Sequence, residues 1–212
     1  MSGALGEICT QFKELLDERF KSGLFTTEDT IRYLFFHACT KHGVEPNGVT
    51  LEDKAAFSEG ESGNEELDTF VEANENIGLE PLAIEFKYHR KGKNTNPPRW
   101  WLATLLCDFY RLQHLAPGYA AARRLSVYVA SKEMEAVIEG MEKKGDWGKF
   151  LVDLMRLSAD GKEHTVTLPG EGSITNKYFI ERAKGFSECT VKCLMNEGLA
   201  GGNTLRIFEI VK

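Results

Sequence analysis

Three side chains in two neighbouring predicted strands have the types and spacing of a divalent-cation site. Glu85 and Lys87 lie two residues apart in the apolar stretch 81–90, and Asp68 lies in the shorter stretch 67–72. Successive side chains of a strand alternate between its faces, so Glu85 and Lys87 share one face. Charged groups in an apolar strand are costly unless they have partners. The pattern therefore predicts a metal ion held at the end of this strand.

The turn between the two strands predicts how close the carboxylates come. Residues 74–78 are rich in turn formers, and strands joined by so short a connection most often form an antiparallel hairpin. A symmetric hairpin centred between Asn76 and Ile77 places Asp68 opposite Glu85, with Cβ atoms about 4.5–5.5 Å apart. Like charges at that distance repel, which favours a cation between them. A bulge would shift this register.

The charge of the chain changes sign at the same place. Residues 45–85 contain twelve acidic side chains and one basic one, whereas residues 87–99 contain five basic side chains, one histidine and no acid. The net charge of −6 argues against a passive coat for nucleic acid. An acidic pocket beside a basic rim instead suits a cation and a polyanion bound together.

Hydrophobic periodicity predicts the elements that position these groups. Helices are predicted over residues 4–21, 26–43, 98–115, 131–144 and 147–158. Strands are predicted at residues 49–51, 67–72, 81–90, 123–131, 165–168, 190–195 and 205–211. Thr26 is the predicted N-cap of the second helix, with Asp29 three residues further on.

Length and composition predict one globular domain. The chain has 212 residues, of which 42% are hydrophobic and 27% charged. We expect residues 1–131 to form an α/β core and residues 132–212 to add helices and strands to the same domain. No apolar run is long enough to span a bilayer, and the N-terminus shows no basic segment followed by an apolar one, so a cytoplasmic location is predicted.

The cysteines predict reduced thiols. There are five, an odd number at wide spacings, which is typical of small core residues in an intracellular protein. Cys189 and Cys193 form a C-x3-C pair without a second pair or an adjacent histidine, so structural zinc is the less favoured alternative.

The context of Glu85 and Lys87 carries a family resemblance. Acid-x-Lys occurs four times in the chain, but only this copy lies in an apolar strand that follows a strand with its own aspartate and precedes a basic loop and a helix. The arrangement resembles the PD-(D/E)xK, or restriction-endonuclease-like, nuclease superfamily over roughly residues 4–131. The resemblance implies an α/β fold with a mixed central β-sheet flanked by helices, in the order αβββαβ. Leu67 stands where the family often has proline.

The resemblance also implies roles for the three residues. Asp68, Glu85 and Lys87 would be catalytic, and Asp68, Glu85 and the Phe86 backbone carbonyl would bind Mg²⁺ or Mn²⁺ through oxygen. A divalent ion lowers the pKa of an attacking water. Lys87 would position or deprotonate that water and offset charge on the phosphate. An extra acid from the first helical region would be Glu28, with Glu14 and Asp29 as open alternatives.

The predicted activity is Mg-dependent endonuclease or phosphodiesterase cleavage, with DNA the expected substrate and a homodimer plausible for cutting both strands. Basic groups near the site would hold the phosphate backbone. The candidates are His89, Arg90, Lys91, Lys93 and Arg99.

Simpler interpretations of the same residues stay open. Asp68, Glu85 and Lys87 could form a cross-strand salt-bridge network on an exposed sheet face. His89 could be a surface histidine at a strand end, residues 90–99 a solvated loop, and Glu28 an acid favoured by the helix dipole. The alternative function is a catalytically inactive nuclease-fold module that binds or regulates.

Overall fold

The computed structural model describes residues 3–57, 66–90, 98–168 and 186–211, apart from the side chains of residues 98, 99 and 102. The helices are α1 (Gly3–Lys21), α2 (Glu28–Lys41), α3 (Pro98–Gln113), α4 (Lys132–Gly140) and α5 (Asp146–Met155). The strands are β1 (Val49–Asp53), β2 (Leu67–Val71), β3 (Leu82–His89), β4 (Arg123–Ala130), β5 (Glu163–Thr167), β6 (Glu188–Gly198) and β7 (Thr204–Val211).

The described strands form one mixed sheet in the order β1-β2-β3-β4-β7-β6-β5. β3 and β4 are parallel, and the other neighbouring pairs are antiparallel. A parallel pair needs a crossover connection, and the segment that contains α3 provides it. The mixed α/β class with a central sheet is therefore confirmed. β5, β6 and β7 belong to the predicted C-terminal part and extend the same sheet.

The two faces of the sheet are buried by different helices. Alternate residues of β3, namely Leu82, Ile84 and Phe86, pack with α1 and α2 in one apolar cluster. Ala83 packs with α3, α4 and α5 in the other. Phe35 of α2 meets Phe86 edge to face with ring centroids 5.5 Å apart, so α2 is fixed against the strand that carries Glu85 and Lys87.

The first turn of α2 differs by one residue from the prediction. Thr27, not Thr26, is the N-cap, and its hydroxyl accepts a hydrogen bond from Thr30 N–H at 3.2 Å. Thr30 Oγ1 in return accepts from Thr27 N–H at 3.4 Å, which completes a capping box without Asp29. The prediction was wrong because Thr26 is buried, and its hydroxyl instead accepts from Arg19 Nε at 3.2 Å.

The cysteines behave as core residues. All five are free and buried. Cys9 and Cys39 lie in the cluster under α1 and α2, whereas Cys107, Cys189 and Cys193 lie in the opposite cluster. None of the described helices combines the length and apolar composition needed to cross a bilayer.

Candidate functional site

The β2–β3 hairpin has the predicted register. The paired residues are Thr69 with Ile84, Phe70 with Ala83, and Val71 with Leu82. One further step in this register sets Asp68 opposite Glu85, and Asp68 Oδ2 accepts a hydrogen bond from Phe86 N–H at 2.7 Å. Gly78 closes the turn with φ of 67°, a conformation that glycine adopts without strain. The prediction of an antiparallel hairpin in this register is confirmed.

Asp68 is paired with an arginine that the sequence analysis missed. Arg32 Nη2 lies 3.0 Å from Asp68 Oδ1, and Arg32 Nη1 lies 3.0 Å from Glu52 Oε1 of β1. The Arg32 side chain is buried on α2, so its charge is directed toward these carboxylates rather than into solvent. Its spacing of four residues from Glu28 was the available signal, because both then lie on one helix face.

Glu85 is the most deeply buried acid of the site. It is 1% exposed, and its Oε1 lies 2.9 Å from Arg111 Nη2 on α3. Burial and then the charge of Asp68 raise the pKa of Glu85 well above its ordinary value, while Arg111 acts in the opposite direction. The Arg111 guanidinium also lies 4.8 Å from the centre of the Phe57 ring and donates to the Glu66 carbonyl. Arg111 therefore fixes Glu85 in place.

Lys87 lies between two further carboxylates. Its Nζ is 3.4 Å from Asp108 Oδ2 and 3.7 Å from Glu28 Oε1. Burial alone would lower the pKa of Lys87, but the charges of Asp108 and Glu28 outweigh this effect and raise it. Burial raises the pKa of Asp108 to about 6, against the opposing charges of Lys87 and Arg111. Asp108 Oδ1 also lies 3.6 Å from Nη1 of Arg111, one turn further along α3.

Of the three candidates for an extra acid, Glu28 contacts the site. Its Oε2 accepts a hydrogen bond from Tyr88 N–H at 3.1 Å, and burial raises its pKa. Asp29 is exposed and lies 3.8 Å from Arg32, while Glu14 is exposed on α1. Glu28 thus joins the start of α2 to the end of β3.

His89 has a different environment from the predicted one. It is 7% exposed, with its Nε2 3.4 Å from Thr104 Oγ1 and its ring against Trp101 and Tyr128. Burial and the nearby Lys87 charge lower its pKa to about 3. The prediction of a phosphate contact by His89 was wrong, because α3 covers the sheet face at that point.

The remaining basic candidates are described only in part. Arg90 is exposed, and its Cζ lies 4.5 Å from the centre of the Phe25 ring. Lys91 and Lys93 lie outside the described residues, as does the side chain of Arg99.

The buried His89 predicts an acid-sensitive fold. Its ordinary pKa of 6.5 falls to about 3 in the folded protein. A base with a depressed folded pKa contributes stability that is complete above pH 6.5 and is lost as the pH falls toward 3, by at most about 1.4 kcal/mol per pH unit. In denaturant titrations from pH 7 to pH 4, the free energy of unfolding of His89→Gln should fall less steeply with pH than that of wild type. The exposed His37→Gln is the control, and equal slopes for His89→Gln and wild type would contradict the assignment.

The site as a whole contains more acidic than basic groups. Asp68, Glu85, Asp108 and Glu28 face three cations, Arg32, Lys87 and Arg111. Glu85 Oε1 and Asp108 Oδ2 are buried and accept no hydrogen bond from the residues that the structure describes, although cations lie 2.9 and 3.4 Å away.

A divalent cation at this cluster would be held by few carboxylates. Within residues 3–57, 66–90, 98–168 and 186–211 there is no group of three or more His, Cys, Asp or Glu side chains arranged to hold a metal ion. Mg²⁺ commonly uses one or two carboxylates and keeps several waters, so a pair such as Asp68 and Glu85 would suffice, and Arg32 and Arg111 already contact these two groups. Burial and the charge of Asp68 raise the pKa of Glu85, so an added positive charge beside it would be favourable.

Comparisons with protein-family models, curated proteins and solved structures each found no match to this chain. Its function is therefore inferred from the geometry of the site.

Proposed function

We propose that this protein is a metal-dependent nuclease that hydrolyses phosphodiester bonds, with DNA as the expected substrate and Mg²⁺ or Mn²⁺ as the cofactor. The observation that carries the proposal is the β2–β3 register, which, continued by one residue, sets Asp68 opposite Glu85, with Lys87 two residues further along β3 and so on the same face as Glu85. The order α1, α2, β1, β2, β3, α3, β4 supports a restriction-endonuclease-like core, with the first acid on its second strand and the acid-x-lysine on its third.

The carboxylates of Asp68 and Glu85, with the Phe86 carbonyl, would hold the ion. When bound, the ion would activate a water and neutralise charge on the phosphate. Arg32 and Arg111 hold the two carboxylates in fixed positions through contacts of 3.0 and 2.9 Å. Such fixed positions reduce the reorganisation needed when substrate arrives.

Lys87 is better suited to stabilise charge than to take up a proton. Asp108 and Glu28 keep its pKa above the ordinary value, so the amine stays protonated at neutral pH. A fixed ammonium group can donate to a phosphate oxygen as negative charge grows there. Of the two roles that the sequence leaves open for Lys87, this observation favours charge stabilisation.

A second candidate is a nuclease-fold module that binds nucleic acid without cutting it. The observation in its favour is that Arg32 and Arg111 already pair with the two carboxylates that would bind metal. In that case the cluster would be a buried ion-pair network that orders α2 and α3 against the sheet.

Cleavage of DNA and RNA with Mg²⁺, Mn²⁺ or a chelator separates the two candidates. We expect wild-type protein to cut only with metal, and Asp68→Asn to lose at least about 100-fold in rate, since it removes one ligand charge. Asp153→Asn, an exposed aspartate 3.2 Å from Lys149, is the matched control and should cut normally. Thermal melting should show that both variants are folded.

Two outcomes would contradict the nuclease proposal. One is that wild-type protein cuts neither DNA nor RNA with either metal, and the other is that Asp68→Asn cuts as fast as wild type. Metal-independent binding of nucleic acid without cleavage would support the binding module instead.

A further inference from the structure

An exposed aromatic ring lies beside the candidate site. Phe25 is 66% exposed in the connection between α1 and α2, and the neighbouring Leu24 is 56% exposed. With Tyr33, they are the large hydrophobic side chains that are exposed in the described part of the chain. Leaving an ordered phenyl ring in solvent forgoes its burial energy. Leu24 and Phe25 are consecutive, so they form a small exposed apolar patch rather than a single scattered side chain.

The ring is held in a fixed position by two arginines. Arg90 Cζ lies 4.5 Å from the Phe25 ring centre, within the range of a cation–π contact. Arg19 of α1 donates through Nη2 to the Phe25 carbonyl and through Nε to Thr26 Oγ1, at 3.2 Å in the second case. Thr26 is itself buried, so the backbone beneath the ring is anchored. Phe25 and Arg90 together are called the Phe25 platform below.

The platform is connected directly to the proposed catalytic groups. Phe25 precedes Glu28 by three residues, and Arg90 follows Lys87 by three residues. Glu28 joins the two segments, because its carboxylate lies 3.7 Å from Lys87 Nζ and accepts the Tyr88 N–H.

We propose that the Phe25 platform stacks an unpaired nucleobase of the substrate, which makes single-stranded or locally unpaired nucleic acid the substrate class. The inference rests on the proposed function, because it identifies which nucleic acid the same site receives. Aromatic rings and arginine planes are the groups on which unpaired bases stack. Arg19 and Arg90 also supply positive charge for the adjoining phosphates. A base inside a duplex is already stacked and does not reach such a ring.

Binding measured without turnover tests the platform separately from cleavage. Fluorescence anisotropy in chelator would compare wild type, Phe25→Ala, Phe25→Leu and Phe25→Trp. The probes are a labelled single-stranded oligonucleotide, the same oligonucleotide with abasic positions, and a blunt duplex. Loss of one stacked base costs about 1–3 kcal/mol, which is about 5- to 150-fold in Kd. We expect Phe25→Ala and Phe25→Leu to bind the intact single strand more weakly by this factor and to bind the other two probes as wild type does. Phe25→Trp should bind all three probes like wild type.

The outcomes distinguish this proposal from the nuclease proposal. Wild-type affinity of Phe25→Ala for the intact single strand would overturn the platform. Equal weakening for all three probes would overturn it as well, since it would indicate a general electrostatic or loop effect. A change in oligomeric state by size exclusion, without a change in single-strand binding, would identify a protein contact instead. If wild-type protein cleaves no nucleic acid, and Phe25→Ala selectively loses binding of the single strand, the platform stands and the nuclease proposal fails.

Discussion

Replacing Lys87 by methionine should lower the rate of phosphodiester cleavage about 10²- to 10³-fold, the usual cost of removing one fixed group that stabilises transition-state charge. Methionine keeps an unbranched side chain at this position and removes only the ammonium group. Because Nζ lies 3.4 Å from Asp108 and 3.7 Å from Glu28, the substitution also leaves these two carboxylates without that cation. Because the ammonium group acts on charge that develops in the transition state, the loss of rate should appear mainly in kcat rather than in substrate affinity.

The pH profile identifies which role Lys87 has. Its raised pKa means that the amine is protonated throughout the neutral range. The wild-type rate should then show no ionisation of a lysine near pH 7, and Lys87→Arg, which keeps the charge, should be less impaired than Lys87→Met. Lys54→Met, at an exposed lysine 3.2 Å from Glu66, is the control. A rate that rises near neutral pH in wild type but not in Lys87→Met would instead identify Lys87 as a base.

The hairpin was predictable because the residues that determine it are close together in the sequence. Turn residues between two short strands define the centre of symmetry, and the register follows by counting outward from Asn76 and Ile77. Helix positions were also predictable from apolar periodicity. For example, residues 98–115 were predicted, and α3 spans Pro98–Gln113. The alternation along β3 likewise correctly separated Glu85 and Lys87 from Phe86.

The contacts that complete the site were not predictable, because they join elements distant in sequence. Arg32 meets Asp68 across 36 residues, and Arg111 meets Glu85 across 26. The four-residue spacing of Arg32 from Glu28 places both on one face of α2, but no spacing or motif in the sequence indicates either pair. The burial of His89 was also not predictable, because it depends on an element distant in sequence. Alternation gives its sheet face, but only the packing of α3 through Trp101 and Thr104 determines that this face is closed there.

Arg111→Met should destabilise the fold by about 3–5 kcal/mol at pH 8, the range observed when one partner of a buried ion pair is removed. Glu85 is 1% exposed, and without its closest cation it must either carry an unpaired buried charge or take up a proton at pH 8, and either change costs free energy of folding. The guanidinium contact with Phe57 and the bond to the Glu66 carbonyl would also be lost. Urea titration of both proteins measures the difference. Arg156→Met, in an exposed pair with Glu142 at 3.2 Å, is the matched control and should change stability by less than about 1 kcal/mol.

The cost of Arg111→Met should depend on pH in a defined direction. The pKa of Glu85 is already raised by burial and Asp68, and the loss of Arg111 raises it further. An acid with a raised folded pKa destabilises the fold as the pH rises through that value, so the deficit should be largest at pH 8 and should shrink in acid as Glu85 takes up a proton. The double variant Glu85→Gln with Arg111→Met should recover part of the loss at pH 8, because no buried charge is then unpaired. If it is no more stable than Arg111→Met alone, the ion pair with Glu85 is not what Arg111 contributes, and its contacts with Phe57, Asp108 and the Glu66 carbonyl are the remaining sources of the effect.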